Sequence, residues 1–334
     1  MRFLIRVPNW IGDAMLAQPA LGSLKLEHPG SEIWLLARDW VKALYPPKKL
    51  AARIIPLTGE DTPRGLLRTA RLLKGLRFEA GLLLTNSFGS ALLFRLAGIP
   101  ERWGYRRDGR GFLLTRGVPF KADSPARHQL EYYLDLVRGL GLKPSRAEVR
   151  LTLSPAEKRT AGLALKAAGV DIGRPVVILN PGASYGPAKR WPAERFAAAG
   201  ALFQKKKKAE VVITGSQEER DLAERVASLM PRRPAVLAGR TGLRELLAVI
   251  GRSSLFITND SGPMHLANAL RVPVVAVFGP TDPAATRPWH QPSVVLKKSA
   301  VCWPCLYRQC PYDHRCMTAI TPEEVYLAGR EFLA

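Results

Sequence analysis

Four strand-end stretches of this chain hold residues suited to chemistry. The first is NWIGD (9–13), which follows the apolar run Phe3–Val7 and precedes a segment patterned like a helix. Asp13 stands where strand gives way to helix, a place that suits a helix cap and equally a proton acceptor. The second is NPGASYGPAKRWP (180–192), a loop of small residues holding Ser184, Lys189 and Arg190. A lysine there can neutralise charge on a leaving phosphate without moving a proton, and a Gly/Pro turn with two solvated cations fits the same letters.

The third stretch, GSQEER (215–220), puts Glu218 and Glu219 at a helix start, where the dipole favours carboxylates. Acceptors for the two hydroxyls of a ribose are the functional alternative. The fourth is NDSGPMHLANAL (259–270). Pro263 suits the first turn of a helix, so Ser261 and Gly262 fall at its start, where free amides and half a positive charge make a seat for phosphate. Asp260 precedes that start and His265 lies in its first turn; a plain Asp/Ser cap is the competing reading.

Cys302, Cys305, Cys310 and Cys316 fall within fifteen residues, CWPCLYRQCPYDHRC, with His314 beside the last. Such spacings can wrap a structural zinc, and free thiols or a redox pair are the alternatives. D-x-D and H-E-x-x-H do not occur, and no Gly-Lys-Ser/Thr makes a Walker loop. A nucleotide diphosphate would then rely on protein cations and helix amides rather than on a carboxylate-bound ion.

The elements that must position these loops alternate along the whole chain. Short apolar runs near 3–7, 32–37, 53–57 and 80–85 are separated by helical segments near 14–27, 40–45, 64–77, 90–97 and 126–140, and a helix near 155–168 leads into the second half. There VVILNPG, EVVITG, AVLAG, LFITND and VPVVAVFG repeat the alternation. The pattern predicts an α/β protein of two facing, doubly wound Rossmann-like domains with a cleft between them, although neither first turn carries G-x-G-x-x-G.

The chain has 334 residues, 47% of them apolar, enough for two folded domains. Fifty basic residues outnumber 28 acidic ones, for a formal charge of +22, so anionic partners are expected. Neither a membrane span nor a signal peptide is legible, which predicts a cytoplasmic protein. No nucleic-acid reading module or interleaving of aromatics on a basic face is seen.

RVPNWIGDAMLAQPAL, NSFGSALLFRLAGIPERWGYR, PGASYGPAKRWP and NDSGPMHLANALRVPVVAVFGPTDP together resemble the ADP-heptose:lipopolysaccharide heptosyltransferases of glycosyltransferase family 9, most of all those that add the second heptose. The likeness runs from residue 1 to about 290 and implies a GT-B fold. It implies an acceptor-binding domain over 1–165, an ADP-sugar-binding domain over 170–320, and a helix at 321–334 that returns to the first domain. The implied reaction moves L-glycero-D-manno-heptose from ADP-heptose to a lipid A-linked core oligosaccharide, with inversion and no required cofactor. Matched residue by residue, the resemblance gives Asp13 as general base and Lys189 as the lysine of the donor phosphate. Asp260, Ser261, Gly262, His265 and Ser184 fall on the donor side, and Glu219, or Glu218, on the ribose. It also implies work at the inner face of the bacterial inner membrane, with the arginines at 64–77 and 102–110 toward anionic lipid. Another family 9 transferase step, a nucleotide-sugar epimerase on the same scaffold and a non-catalytic nucleotide or nucleic-acid binder are the competing functions.

Overall fold

The computed structural model describes residues 1–45, 50–57, 62–120, 127–146 and 148–333. It divides into two compact units, Met1–Val149 and Arg150–Ala334. The first contains β1 (Arg2–Arg6), α1 (Ile11–Leu16), α2 (Gln18–Glu27), β2 (Glu32–Ala37), β3 (Arg53–Pro56), α3 (Pro63–Gly75), β4 (Ala80–Leu83), α4 (Phe88–Leu96), β5 (Glu101–Arg106), β6 (Arg116–Pro119) and α5 (Gln129–Gly139). Its six strands are all parallel, in the order β3-β2-β1-β4-β5-β6. Phe3 of β1 pairs with Ile33 on one side and Ala80 on the other, and Phe3, Leu4 and Ile5 are fully buried, so the central strand is covered on both faces and reads as a continuous apolar run.

The expected helix over 14–27 is two helices, because Pro19 follows the break at Ala17 and brings no amide proton to a continuous helix. Side-chain caps set two further starts. Thr62 accepts from the Gly65 amide at 3.1 Å before α3, and Ser87 from the Ser90 amide at 3.3 Å before α4. The helix expected from residue 126 begins at Gln129, and residue 126 lies outside the described residues. The segment read as a helix at 40–45 is a 3-10 turn, Asp39–Ala43.

The second unit contains α6 (Pro155–Ala167), β7 (Val176–Asn180), α7 (Ala193–Lys207), β8 (Glu210–Ile213), α8 (Arg220–Ser228), β9 (Ala235–Val236), α9 (Leu243–Ile250), β10 (Leu255–Asn259), α10 (Gly262–Ala269), β11 (Val274–Phe278), α11 (Pro283–Thr286), β12 (Ser293–Lys297), α12 (Arg315–Thr318) and α13 (Pro322–Gly329). Its sheet is also wholly parallel, ordered β12-β11-β10-β7-β8-β9, which repeats the strand order of the first. The first domain is expected to run to residue 165, whereas the whole of α6 belongs to the second unit: Ser154 and Glu157 form a capping box at its start, and it packs on α9. The last helix, α13, was expected to return to the first domain. It packs on α7 of the second unit, where Tyr326 and Phe203 bring their rings to 5.0 Å and Gly329 lies against Leu255.

Three strands were not read from the sequence. In β5 the run ERWGYR is half polar, β6 is four residues with a glycine and a proline, and β12 is an edge strand of intermediate burial. Central strands announce themselves by unbroken hydrophobicity, whereas β6 and β12 lie at sheet edges and β5 lies one strand in from an edge. Among the described residues no helix is long and apolar enough to cross a membrane.

In each unit the strand order reverses between the first and fourth strands, β1 and β4 in one and β7 and β10 in the other. Doubly wound sheets bind ligands beyond the carboxyl ends of the strands at such a reversal, since the two flanking loops diverge there.

Candidate active site

At the first reversal, the loops after β1 and β4 enclose a cavity of about 500 Å³. Asp13 lines it from the first turn of α1, together with Arg6, Asn86, Ser90, Tyr132 and Tyr133. Asp13 is half-buried, and the N-cap of α1 is Trp10, which gives no side-chain cap. Burial, reinforced by the Asp13 carboxylate, pushes the Tyr133 phenol well above its ordinary value.

The opposite wall is held from behind by Arg110, which the sequence set among the arginines at 102–110 expected toward anionic lipid and which the fold buries instead. Arg110 is fully buried, and its guanidinium donates to the carbonyls of Tyr105 (3.1 Å) and Thr85 and to Asn86 Oδ1 (3.4 Å). Burial pushes it down to about 10, and no carboxylate forms an ion pair with it among the described residues. Asn86 Nδ2 donates to the Tyr132 hydroxyl at 2.7 Å, and Tyr132 packs its ring 4.6 Å from that of Tyr105. Arg6, 2% exposed, donates to Asn9 Oδ1 at 2.9 Å. The cavity is therefore polar and electropositive around one acid.

At the second reversal, the loops after β7 and β10 meet through an ion pair. Lys189, at the end of the 3-10 turn Pro187–Lys189, donates to Asp260 Oδ2 at 2.5 Å. Asp260 also accepts from the Thr281 hydroxyl at 2.7 Å and the Thr286 hydroxyl at 3.1 Å, and its side chain is 5% exposed. Ser261 is the N-cap of α10 but gives no side-chain cap; its hydroxyl lies 3.1 Å from that of Thr258. Gly262 begins α10, Pro263 follows, and His265 is buried in the first turn.

A buried polar framework ties these loops to the strand ends. Asn259 donates to the Pro181 carbonyl at 2.8 Å and accepts from the Trp191 amide at 2.9 Å, while Asn180 donates to the Thr214 carbonyl at 3.1 Å. Both asparagines end apolar strands, VVILN and LFITN, which was the signal available in the sequence. Buried amides must find partners, and these bridge separate loops.

Of the two glutamates, Glu219 is the one brought to this loop cluster. Its carboxylate accepts from the Ser216 amide at 2.9 Å and lies over Gly182, where a Cβ would meet Oε1 at 2.0 Å. Glu218 is exposed, its carboxyl held low by a hydrogen bond from Ser216. Ser184 is exposed on the Lys189 loop. GASYG (182–186) has the spacing of a hydrolase nucleophile elbow, but Ser184 bonds no histidine or carboxylate among the described residues.

Cys302, Cys305, Cys310 and Cys316 are all free thiols and line one cavity of about 460 Å³ with His314. Burial, with the other three thiols adding to it, raises Cys316. Among the described residues no three His, Cys, Asp or Glu side chains are grouped to hold a metal, so the expected zinc has no preformed ligand set here. The segment instead supports the Lys189 loop: Tyr185 donates to the Leu306 carbonyl at 2.6 Å, the Ala188 amide to the Arg308 carbonyl at 3.0 Å, and His314 Nε2 lies 2.7 Å from the Ala188 carbonyl.

Comparison with known proteins gives the family and the fold. The sequence profile of glycosyltransferase family 9 (heptosyltransferase) matches residues 66–315. Lipopolysaccharide heptosyltransferase 2 of Escherichia coli K12 is 31% identical over 313 residues, 89% of this chain and 88% of that protein. Lipooligosaccharide heptosyltransferase 2 of Haemophilus influenzae is 29% identical over 309 residues, again 89% of this chain and 88% of its own. The solved structure of E. coli ADP-heptose lps heptosyltransferase II superposes with a TM-score of 0.85 at 27% identity, covering 100% of this chain and 98% of that one. Matched along most of its length in sequence and along all of it in fold, the chain belongs to glycosyltransferase family 9, the heptosyltransferases.

Proposed function

We propose that this glycosyltransferase moves L-glycero-D-manno-heptose from ADP-heptose to the inner core of lipopolysaccharide, adding the second heptose onto the first. One observation carries the reading: each sheet has its polar cluster at its own strand-order reversal, an acid in the first unit and a cation beside a helix start in the second. In this reading the first unit holds the acceptor and the second the donor.

The acceptor hydroxyl oxygen bonds to the anomeric carbon from the face opposite the ADP, and the bond from that carbon to the phosphate oxygen breaks, its electron pair leaving with the diphosphate. The configuration inverts. Asp13 takes the hydroxyl proton as the new bond forms, when the hydroxyl has become acidic. The diphosphate gathers charge as it leaves, and the amides at the start of α10 and the Lys189 ammonium stabilise it, each well-placed donor contributing about 3 kcal/mol. Asp260, bonded to Lys189, Thr281 and Thr286, keeps the ammonium oriented. Ser261, His265 and Ser184 complete the donor side, and Glu219 accepts from the ribose hydroxyls.

No cofactor enters this chemistry. The four cysteines line one cavity but are not grouped as a metal's ligands, so a structural zinc there would have to draw them together, and metal analysis of the purified protein tests that part. The acceptor places the enzyme on the cytoplasmic face of the inner membrane, and the charge of +22 supports contact with anionic lipid there.

Product analysis with ADP-heptose and defined truncated core acceptors, comparing wild type with Asp13→Ala, tests the proposal. A disaccharide product with the inverted linkage, lost in the variant, is the expected result. Turnover of a different nucleotide sugar, or of none, overturns it.

A further inference from the structure

The loop that walls the Asp13 cavity points one side chain elsewhere. Ser87 and Gly89 line the cavity, while Phe88 between them is 42% exposed. Its ring lies 6.0 Å from that of Phe112, which is 76% exposed. Neither ring belongs to the core, yet Phe112 is firmly presented. It sits in the 3-10 turn Gly111–Leu113, whose Leu113 is buried and has its carbonyl bonded by Arg102 at 2.7 Å. Two large apolar rings held together at the surface beside a cavity mark an interaction site.

The charge around them says what kind. Residues 88–112 hold five arginines against two acids, and all of the five but the buried Arg110 reach the surface at least in part. Arg95 and Arg106 are exposed, and Arg95 lies close enough to help burial hold Arg102 below its ordinary value. The neighbouring α3 packs on α4 and exposes Leu67 and Leu72 among Arg64, Arg68 and Arg71. A second copy of this face would meet like charge. The two rings are tilted by 53°, which offers no flat platform for a nucleic-acid base.

We propose that this face docks on an anionic bilayer, with Phe88 and Phe112 entering the boundary between headgroups and acyl chains and the surrounding arginines meeting lipid phosphates. Docking sets the mouth of the Asp13 cavity at the membrane surface. This part rests on the proposed lipid-linked acceptor, whereas the docking itself does not.

The test is cosedimentation of the full chain with vesicles of phosphatidylcholine alone and of phosphatidylcholine with phosphatidylglycerol, at several salt concentrations. Wild type partitions onto the anionic vesicles only. Phe88→Ser with Phe112→Ser lowers that partition by about tenfold or more at every salt concentration. Arg95→Gln with Arg106→Gln instead flattens the salt dependence. On a vesicle-embedded acceptor the phenylalanine pair lowers kcat/KM, and on a short soluble acceptor it does not. Far-ultraviolet circular dichroism shows that the variants are folded. The proposal is overturned if wild type ignores anionic vesicles, if the folded phenylalanine variant binds them like wild type, or if these residues instead govern self-association or binding to single-stranded DNA. Vesicle binding is read without turnover, so its failure and that of the heptosyltransfer reading are told apart.

Discussion

Lys189 and Asp260 meet at 2.5 Å although 71 positions separate them in the chain, and both side chains are withdrawn from solvent, at 11% and 5% exposure. The pair joins the loop after β7 to the loop after β10 and makes the second unit's cluster a single structure. Removing one partner leaves a buried charge uncompensated, so Lys189→Met and Asp260→Asn should each destabilise the fold by about 3 kcal/mol. The double variant should lose less than the sum, and urea denaturation of all four proteins measures the difference.

Asp13 separates two roles that share one position. As a cap residue it contributes about 0.5 kcal/mol through the helix dipole, whereas as general base it contributes about 10² to 10⁴ in rate. Asp13→Asn should therefore lower kcat by about a thousandfold while shifting the unfolding midpoint little. A variant with near-normal turnover and a large loss of stability would show that the cap is the whole role.

Gly182 is small because Glu219 lies over it. Gly182→Ala should push the carboxylate off the loop and weaken ADP binding by about tenfold, and Glu219→Ala should do the same without the steric insult. Isothermal titration with ADP reads both. Gly182→Ala weakening ADP while Glu219→Ala leaves it intact would remove Glu219 from the ribose.

Burial raises the phenols of Tyr45, Tyr105, Tyr132 and Tyr133 above their ordinary value, and Tyr45 donates to the Ala14 carbonyl. An acid raised in the folded state keeps its proton longer there than in the unfolded chain. Stability is thus full below the ordinary tyrosine value of about 10 and falls as pH rises above it. Tyr45→Phe should unfold less steeply with alkali than wild type, at the cost of about 1 kcal/mol at neutral pH for the lost hydrogen bond. Denaturation followed at neutral and alkaline pH tests the sign.

Much of this site was legible before any coordinates. Asp13, Lys189, Asp260 and Ser261 all stand at strand ends, and strands buried on both faces leave a long apolar run that locates those ends. Arg110 was not legible. In the sequence it is one arginine of a basic run, and only the fold withdraws it from water among carbonyls of Tyr105 and Thr85. Glu218 and Glu219 were equivalent until the loop after β8 turned one of them onto Gly182.

The amino-acid sequence by itself determined the alternation of strands and helices, the polar loops at strand ends and the excess of positive charge, because each is a local or summed property of the chain. The tertiary structure alone decided that Lys189 pairs with Asp260, that the cysteine segment supports the Lys189 loop, and that Phe88 and Phe112 share one exposed face. Those contacts depend on which parallel strands lie side by side, and strand order follows from the packing of whole elements rather than from the period of any one.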